Sequence, residues 1–187
     1  PEPWASMYDP AQMTIPPLNP DEHVDNPRHF QLTQQENPDF SAWQEKDGSG
    51  MHGFTSHLLK DREKSLAQDI AIYYGMVSFT DHAIGQILDK LDELGLTDDT
   101  VVVFTTDHGH FFGQHGLIAK GPFHYEDMIR IPFIVSHPPT MPQGQETDAM
   151  LTLVDLAPSF LDLAELPIPR TMTGISQRAV WEGAETA

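Results

Sequence analysis

The sequence predicts an α/β fold, in which a mostly parallel sheet is flanked by helices and preceded by a proline-rich irregular arm. Three observations support this prediction: prolines cluster near the N-terminus, one long segment has helical apolar spacing, and a β-branched run follows that segment directly. A helix that leads through a tight turn into a buried strand is half of a βαβ unit. We expect two parts, an arm over residues 1–60 and an α/β core over residues 61–187.

The arm is defined by its prolines. Half of the chain's 16 prolines fall in the first 40 residues, and every asparagine precedes a proline. Proline blocks helix interiors and sheet hydrogen bonds, so this segment is expected to be irregular. It also carries apolar side chains such as Trp4 and Tyr8. Packing along a larger body and disorder in isolation are both open. Residues 48–50 (Gly-Ser-Gly) predict a flexible joint after the arm.

A long amphipathic helix is predicted to open the core. Apolar residues recur at three- and four-residue spacing from Leu66 to Leu94, which places them on one face of a helix. Ser65 with Gln68 three residues later matches a capping box at the start of the helix. Gly95 supplies the left-handed residue that commonly ends a helix.

Strands follow the helix. Residues 100–105 form a β-branched and aromatic run of the kind that is buried on both faces in a parallel sheet. Further strands are predicted at residues 131–136 and, briefly, around residues 149–151. Asp155 matches an N-cap with Pro158 in the first turn of a helix that runs to about residue 163.

Charge and composition exclude several functions. The 28 acidic and 10 basic residues give a net charge of −18 over 187 residues, so there is no basic stripe for nucleic acid. No run of about 18 apolar residues predicts a membrane span, and no basic and apolar leader is visible. The absence of cysteine excludes disulfides, thiolate metal sites and a cysteine nucleophile. We expect neither a nucleic-acid nor a membrane partner, while compartment and oligomeric state are open.

Candidate metal ligands come directly after the β-branched run. Ligands of open α/β sheets bind beyond the carboxyl ends of the strands, and Asp107 and His108 stand there before Gly109. A carboxylate oxygen and an imidazole nitrogen both bind divalent metals, so the pair predicts half of a metal site. The alternative is that Asp107 caps a helix and His108 packs on the sheet.

A glycine-punctuated loop over residues 109–116 leads to Lys120. A lysine beside a metal suits an anionic substrate, because its ammonium is a compact charge for oxyanions. A solvated loop lysine is the alternative. The histidines of this region lack the spacing of a helical zinc site. We expect His115 to hydrogen-bond substrate or to fix the loop, and His110 and His124 to be structural.

Residues 105–117, Thr-Thr-Asp-His-Gly-His-Phe-Phe-Gly-Gln-His-Gly-Leu, closely resemble the sulfatase family of the alkaline-phosphatase superfamily. The resemblance also covers residues 73–81, 119–126, 130–132 and 153–161. It implies a partial alkaline-phosphatase-like sandwich that forms the C-terminal portion of a sulfatase catalytic domain.

The resemblance also implies roles for individual residues. Asp107 and His108 would be two ligands of a divalent cation, most often calcium and in some members magnesium or manganese. Lys120 would contact the oxygens of a sulfate ester, and we take Lys120 and His115 as the candidate catalytic residues. The substrate would be a small sulfate ester or a sugar sulfate. Gln114 stands where the family usually has glutamate.

The family's nucleophile is a formylglycine made from a Cys/Ser-x-Pro-x-Arg motif, which this chain lacks. Ser136–Pro138 has the Ser-x-Pro pattern, but Thr140 stands at the arginine position. Asp98-Asp99 is interpreted as a turn and not as the family's paired metal-binding aspartates. His52 and His57 are poor substitutes for another family histidine. We therefore expect this chain alone to be inactive, with formylglycine supplied by a part of the parent outside it.

Three functions are open at this point. The first is a fragment of a metal-dependent sulfuric ester hydrolase that supplies part of the metal site and the substrate-contacting lysine. The second is a phosphonate monoester or phosphodiester hydrolase of the same superfamily. The third is a non-catalytic metal-binding or interaction module, which predicts that no nucleophile lies upstream either.

Overall fold

The computed structural model describes residues 1–33 and 62–184, and side-chain environments from residue 66 in the second range. The chain divides into two compact units. Unit 1 comprises Pro1–Leu88 and His108–Ile131, and unit 2 comprises Asp89–Asp107 and Pro132–Ala187. The predicted joint at residues 48–50, the boundary near residue 60, His52 and His57 lie outside the described residues.

Helix α1 spans Arg28–Leu32, and the long helix α2 spans Arg62–Glu93. Because α2 begins before Ser65, the predicted capping box does not mark its start, and Ser65 lies in the first turn. Arg, Glu and Lys are good helix formers, which is consistent with the earlier start. The predicted end is confirmed. Gly95 has a φ of 65°, and the N–H of Leu96 donates to the carbonyl of Leu91 over 3.1 Å, as in a Schellman motif.

The first residues of the arm pack along α2 in unit 1. The Trp4 ring lies 5.1 Å from that of Phe79, and the Tyr8 hydroxyl lies 2.8 Å from the Ser78 hydroxyl. Gly75 permits this approach, because a Cβ there would collide with the carbonyl of Trp4. The arm is also less irregular than predicted, since α1 and short 3-10 turns occur within residues 1–33.

Four strands are present in the described part of the chain. They are β1 (Val102–Thr105), β2 (Phe111–Phe112), β3 (Ile118–Ala119) and β4 (Phe133–Ser136). Strand β1 pairs with β4 from Val102 opposite Ser136 to Thr105 opposite Phe133, and β2 pairs with β3. Both pairings are antiparallel.

The predictions of two strands hold with shorter bounds, and two other strand predictions need correction. The mostly parallel sheet is not confirmed in the described residues. A β-branched run predicts that a strand is buried, but the direction in which strands pair depends on the path of the connecting chain. Phe104 of β1 is 42% exposed, so β1 is not buried on both faces. Residues 149–151 form no strand. Their apolar side chains carried that prediction, although Met150 is 86% exposed.

The remaining helices are α3 (Glu126–Ile129), α4 (Leu156–Leu163) and α5 (Arg178–Trp181). The predicted end of α4 and the place of Pro158 in its first turn are confirmed. Asp155 does not cap α4 with its side chain. It instead accepts the N–H of Thr152 over 3.0 Å and closes a capping box around a preceding 3-10 turn. Within the described ranges, no helix has the length and apolar character needed to cross a membrane.

Candidate active site

The predicted metal pair lies after β1. Asp107 is exposed, and its Oδ1 accepts from the hydroxyl of Thr106 over 3.2 Å. His108 begins the second segment of unit 1. Its Nδ1 lies 2.7 Å from the carbonyl oxygen of Gly109, and because a carbonyl only accepts, Nδ1 must carry the proton. In the neutral ring, the lone pair is then on Nε2.

Lys120 lies beside that lone pair. Its Nζ is 3.0 Å from the Nε2 of His108, so the ammonium donates to the imidazole. The structure thus brings together two of the predicted site residues from positions 12 apart in sequence. An imidazole whose Nδ1 is fixed by a carbonyl has the tautomer of a typical histidine metal ligand, and a metal would bind the same Nε2 lone pair that accepts from Lys120 here.

The donor set fits a divalent cation in part. The Asp107 carboxylate offers a hard oxygen, and His108 offers a neutral nitrogen. Among residues 1–33 and 62–184, no group of three or more histidine, aspartate and glutamate side chains could hold a metal ion. A metal at the predicted pair would therefore need further ligands.

His110 is exposed and contacts two aromatic rings. Its ring centroid lies 4.6 Å from that of Phe112 and 6.3 Å from that of Tyr73. Burial, and then the neighbouring His108 and Lys120, lower the pKa of His110 below its ordinary value. The lowered pKa favours a neutral His110 ring near neutral pH. His124 is also exposed, and the structural roles predicted for both histidines stay predictions.

His115 occupies a different environment from the one expected of a substrate contact. Its Nδ1 lies 2.5 Å from Oε1 of Glu22, and its Nε2 lies 3.2 Å from Oδ2 of Asp127. Its ring stacks on Tyr125 at 3.6 Å with an angle of 5° between the planes. Burial, and then the charge of Glu22, raise the pKa of the Tyr125 hydroxyl.

Sequence reasoning missed Glu22 and Asp127 as partners of His115. Glu22 is 93 residues away in the chain, so local spacing carries no signal for the contact. The arm contributes a further contact through His23, whose Nε2 donates to the carbonyl of His115 over 2.8 Å. His23 is only 2% exposed, and its other ring nitrogen lies 3.0 Å from the amide nitrogen of Asn26.

The residues that the sequence did not assign to the active site lie in turns. Asp98 and Asp99 belong to the 3-10 turn Thr97–Asp99, which confirms the turn interpretation. His137 of the Ser-x-Pro segment pairs with the hydroxyl of Thr140 over 2.7 Å. Gln114 supports the hairpin, because its side-chain carbonyl accepts the N–H of Phe112 over 2.5 Å.

Gly109 holds the site loop against α3, and Gly109→Ala should destabilise unit 1. The N–H of Gly109 donates to the carbonyl of Met128 over 2.9 Å, and an added Cβ would collide with the carbonyl of Asp127. Backbone atoms cannot yield as a flexible side chain can, so we expect a loss of about 2 kcal/mol in the free energy of unfolding. Urea denaturation measures it. Gly85→Ala, where a Cβ meets nothing within 4 Å, is the matched control. Equal stability of both variants would contradict the prediction.

Comparisons with known proteins identify relatives. The sulfatase family profile matches residues 2–166. An arylsulfatase of Clostridium perfringens is 30% identical over 174 residues, which are 88% of this chain and 36% of that protein. An N-acetylglucosamine-6-O-sulfatase of Bacteroides thetaiotaomicron is 37% identical over 110 residues, which are 59% of this chain and 20% of that protein. The chain thus spans about a third or less of these relatives' length.

Solved structures agree with the sequence relatives. The phosphonate monoester hydrolase of Silicibacter pomeroyi superposes with a TM-score of 0.77 at 25% identity, covering 100% of this chain and 35% of that chain. A protein solved with its substrate D-glucosamine-2-N,6-O-disulfate gives a TM-score of 0.63 at 34% identity, covering 66% of this chain and 25% of that chain. With the family profile spanning residues 2–166, these findings show that the chain belongs to the sulfatase family.

Proposed function

We propose that the chain supplies part of the catalytic domain of a metal-dependent sulfuric ester hydrolase. In this proposal Asp107 and His108 are two ligands of the metal, and Lys120 contacts the substrate. The observation that carries it is the 3.0 Å contact between Nζ of Lys120 and Nε2 of His108. That contact puts the only lysine of the loop beside the Nε2 lone pair of His108, and a metal that took over this lone pair would release the ammonium for the substrate.

Lys120 is suited to an anionic ester. An ammonium group has three N–H donors, and Lys120 can direct all of them to ester oxygens once a metal occupies the Nε2 lone pair of His108. A divalent cation bound at Asp107 and His108 would neutralise charge on those same oxygens. As the ester bond to the leaving oxygen breaks, negative charge grows on that oxygen, and a fixed ammonium stabilises it most at that stage.

The net charge of −18 makes the local cation more important, since the chain as a whole does not attract anions over long range. We propose a sulfated sugar or an aryl sulfate as the substrate class. Support comes from relatives named as an arylsulfatase and as an N-acetylglucosamine-6-O-sulfatase.

Hydrolysis of phosphonate monoesters is the second candidate. It is favoured by the superposition on the Silicibacter pomeroyi phosphonate monoester hydrolase, which covers this whole chain. Both candidates are tested by assaying the full-length protein that contains this chain with 4-nitrophenyl sulfate and with a 4-nitrophenyl phosphonate monoester. We expect kcat/KM to be higher for the sulfate. A reversed preference would support the second candidate, and no turnover of either ester would support a non-catalytic module.

Metal binding by the 187-residue chain should be weak. Calcium takes about six to eight oxygen ligands, and Asp107 with His108 fills only a fraction of such a shell. We expect a Kd of about 1 mM or weaker for Ca²⁺ by calorimetry. Asp107→Ala should abolish the remaining heat, whereas Asp98→Ala, which removes an exposed carboxylate in a turn, should not. Tight binding that survives Asp107→Ala would place the metal elsewhere.

A further inference from the structure

We propose that His115 is a positioning residue: its doubly protonated ring bridges Glu22 and Asp127 and thereby fixes the hairpin that ends at Lys120. The bridge itself is independent of the proposed function. Its effect on catalysis rests on the proposed role of Lys120.

The protonation of the His115 ring follows from its partners. One ring nitrogen faces a carboxylate oxygen of Glu22 at 2.5 Å, and the other faces a carboxylate oxygen of Asp127 at 3.2 Å. An ionised carboxylate only accepts hydrogen bonds, so both ring nitrogens must donate. An imidazole with both nitrogens protonated is a cation, which gains charge-assisted hydrogen bonds on both sides.

The same ring has little room for a substrate. Tyr125 covers one face in a parallel stack, and the edge of the Phe111 ring approaches at a centroid distance of 6.3 Å. Both nitrogens are already used by Glu22 and Asp127. A substrate contact would have to displace a carboxylate, whereas a bridge needs only the contacts that are present.

The hairpin between β2 and β3 requires such a bridge. His115 has a φ of 56° and Ala119 a φ of 60°, both in the left-handed region. A residue with a side chain is disfavoured in that region, so the surrounding contacts must hold the backbone there. The His115 ring is held by the bridge, and its carbonyl is held by His23 over 2.8 Å.

The position of Lys120 depends on this hairpin. In the β2 and β3 pair, Phe111 lies opposite Ala119, and Lys120 follows at once. A shift of the turn at His115 is therefore transmitted along two residues of β3 to the lysine. Glu22 belongs to the arm and contacts His115. The arm therefore helps to position the Lys120 ammonium beside His108.

The first test uses nuclear magnetic resonance of the 187-residue chain and needs no activity. The ¹⁵N signals of the His115 ring should show both nitrogens protonated. His115→Ala should shift the ring signals of His108, because Lys120 leaves its 3.0 Å contact. His124→Ala, an exposed histidine nearer to Lys120 in sequence, should leave them unchanged. A neutral His115 ring, or unchanged His108 signals in His115→Ala, would overturn the proposal.

The second test is a double-mutant cycle in the full-length enzyme. His115→Ala should lower kcat about tenfold or more through misplacement of Lys120. In a Lys120→Ala background the same change should cost less than about twofold, because the residue acts through the lysine. If the kcat losses of the two single variants multiply in the double variant, His115 acts independently of Lys120 and the proposal is overturned. If His115→Ala fails to fold, Glu22→Gln takes its place in both the cycle and the spectra. If the full-length protein is inactive but the spectra show the bridge intact, the proposed function is refuted and the proposal of the bridge is not.

Discussion

Lys120→Ala in the full-length enzyme should lower kcat by about two decades, which is the usual effect of removing one preorganised donor to a developing oxyanion. The ammonium lies 3.0 Å from His108 in a loop with no other lysine or arginine between β1 and α3. Its largest contribution comes when charge grows on the leaving oxygen. The loss should therefore fall mainly on kcat and not on KM.

Two further measurements separate this role from that of a solvated lysine. Lys120→Arg should restore little activity, because a planar guanidinium does not reproduce a compact charge. The defect of Lys120→Ala should shrink as the leaving group becomes more acidic, since such groups need less assistance. Lys90→Ala is the control, because Lys90 is exposed and pairs with Glu93 on α2. Near-normal kcat on an alkyl sulfate, or a loss independent of the leaving group, would contradict the assignment.

Asp155→Ala should reduce the free energy of unfolding of unit 2 by about 3 kcal/mol, because it removes a buried carboxylate that accepts several charge-assisted hydrogen bonds. The carboxylate is 6% exposed and accepts the N–H of Thr152 at 3.0 Å and that of Ile175 at 2.9 Å. It therefore joins the start of α4 to the segment 20 residues later. Asp148→Ala, at an exposed aspartate, should change stability little. Equal denaturation midpoints for the two variants would refute the assignment.

The same carboxylate predicts a pH dependence. Burial alone would raise the pKa of Asp155, but hydrogen bonds from Ile175, Thr152 and Gln177 outweigh it, and the pKa is lowered. Because the folded pKa lies below the unfolded value of about 3.9, this stabilisation is complete above about pH 4 and is lost as pH falls through the folded pKa. Asp155→Asn should therefore flatten the acid limb of the stability profile, measured by urea midpoints between pH 2 and pH 5 as a rough range.

Local signals predicted local structure well. Gly95 ends α2 with a left-handed residue, and Pro158 lies in the first turn of α4, because glycine and proline constrain the backbone at their own positions. The end of a strand and an isolated charge mark Asp107, His108 and Lys120 as candidates, and the structure places Lys120 beside His108. The direction of the β1 and β4 pairing was not predictable, since the composition of a strand is the same in either direction.

The contacts of His115 show the limit of reading a sequence along its length. The glycine-rich pattern around His115 identified a special loop, but the partners of the ring come from the arm and from α3. Glu22 lies among other acidic residues of an acidic chain, and nothing in its neighbourhood distinguishes it. Only the packing within unit 1 reveals that Glu22 faces an imidazole.

The left-handed backbone at Ala119 has a consequence for evolutionary drift. The residue before Lys120 is selected by the shape of the main chain and not by the chemistry of its side chain, because its φ is 60°. Glycine and asparagine suit that shape, whereas valine and isoleucine do not. Among natural variants, this position should therefore exchange small, chemically unrelated residues freely while rejecting β-branched ones, even though it neighbours the lysine that we propose to contact the substrate.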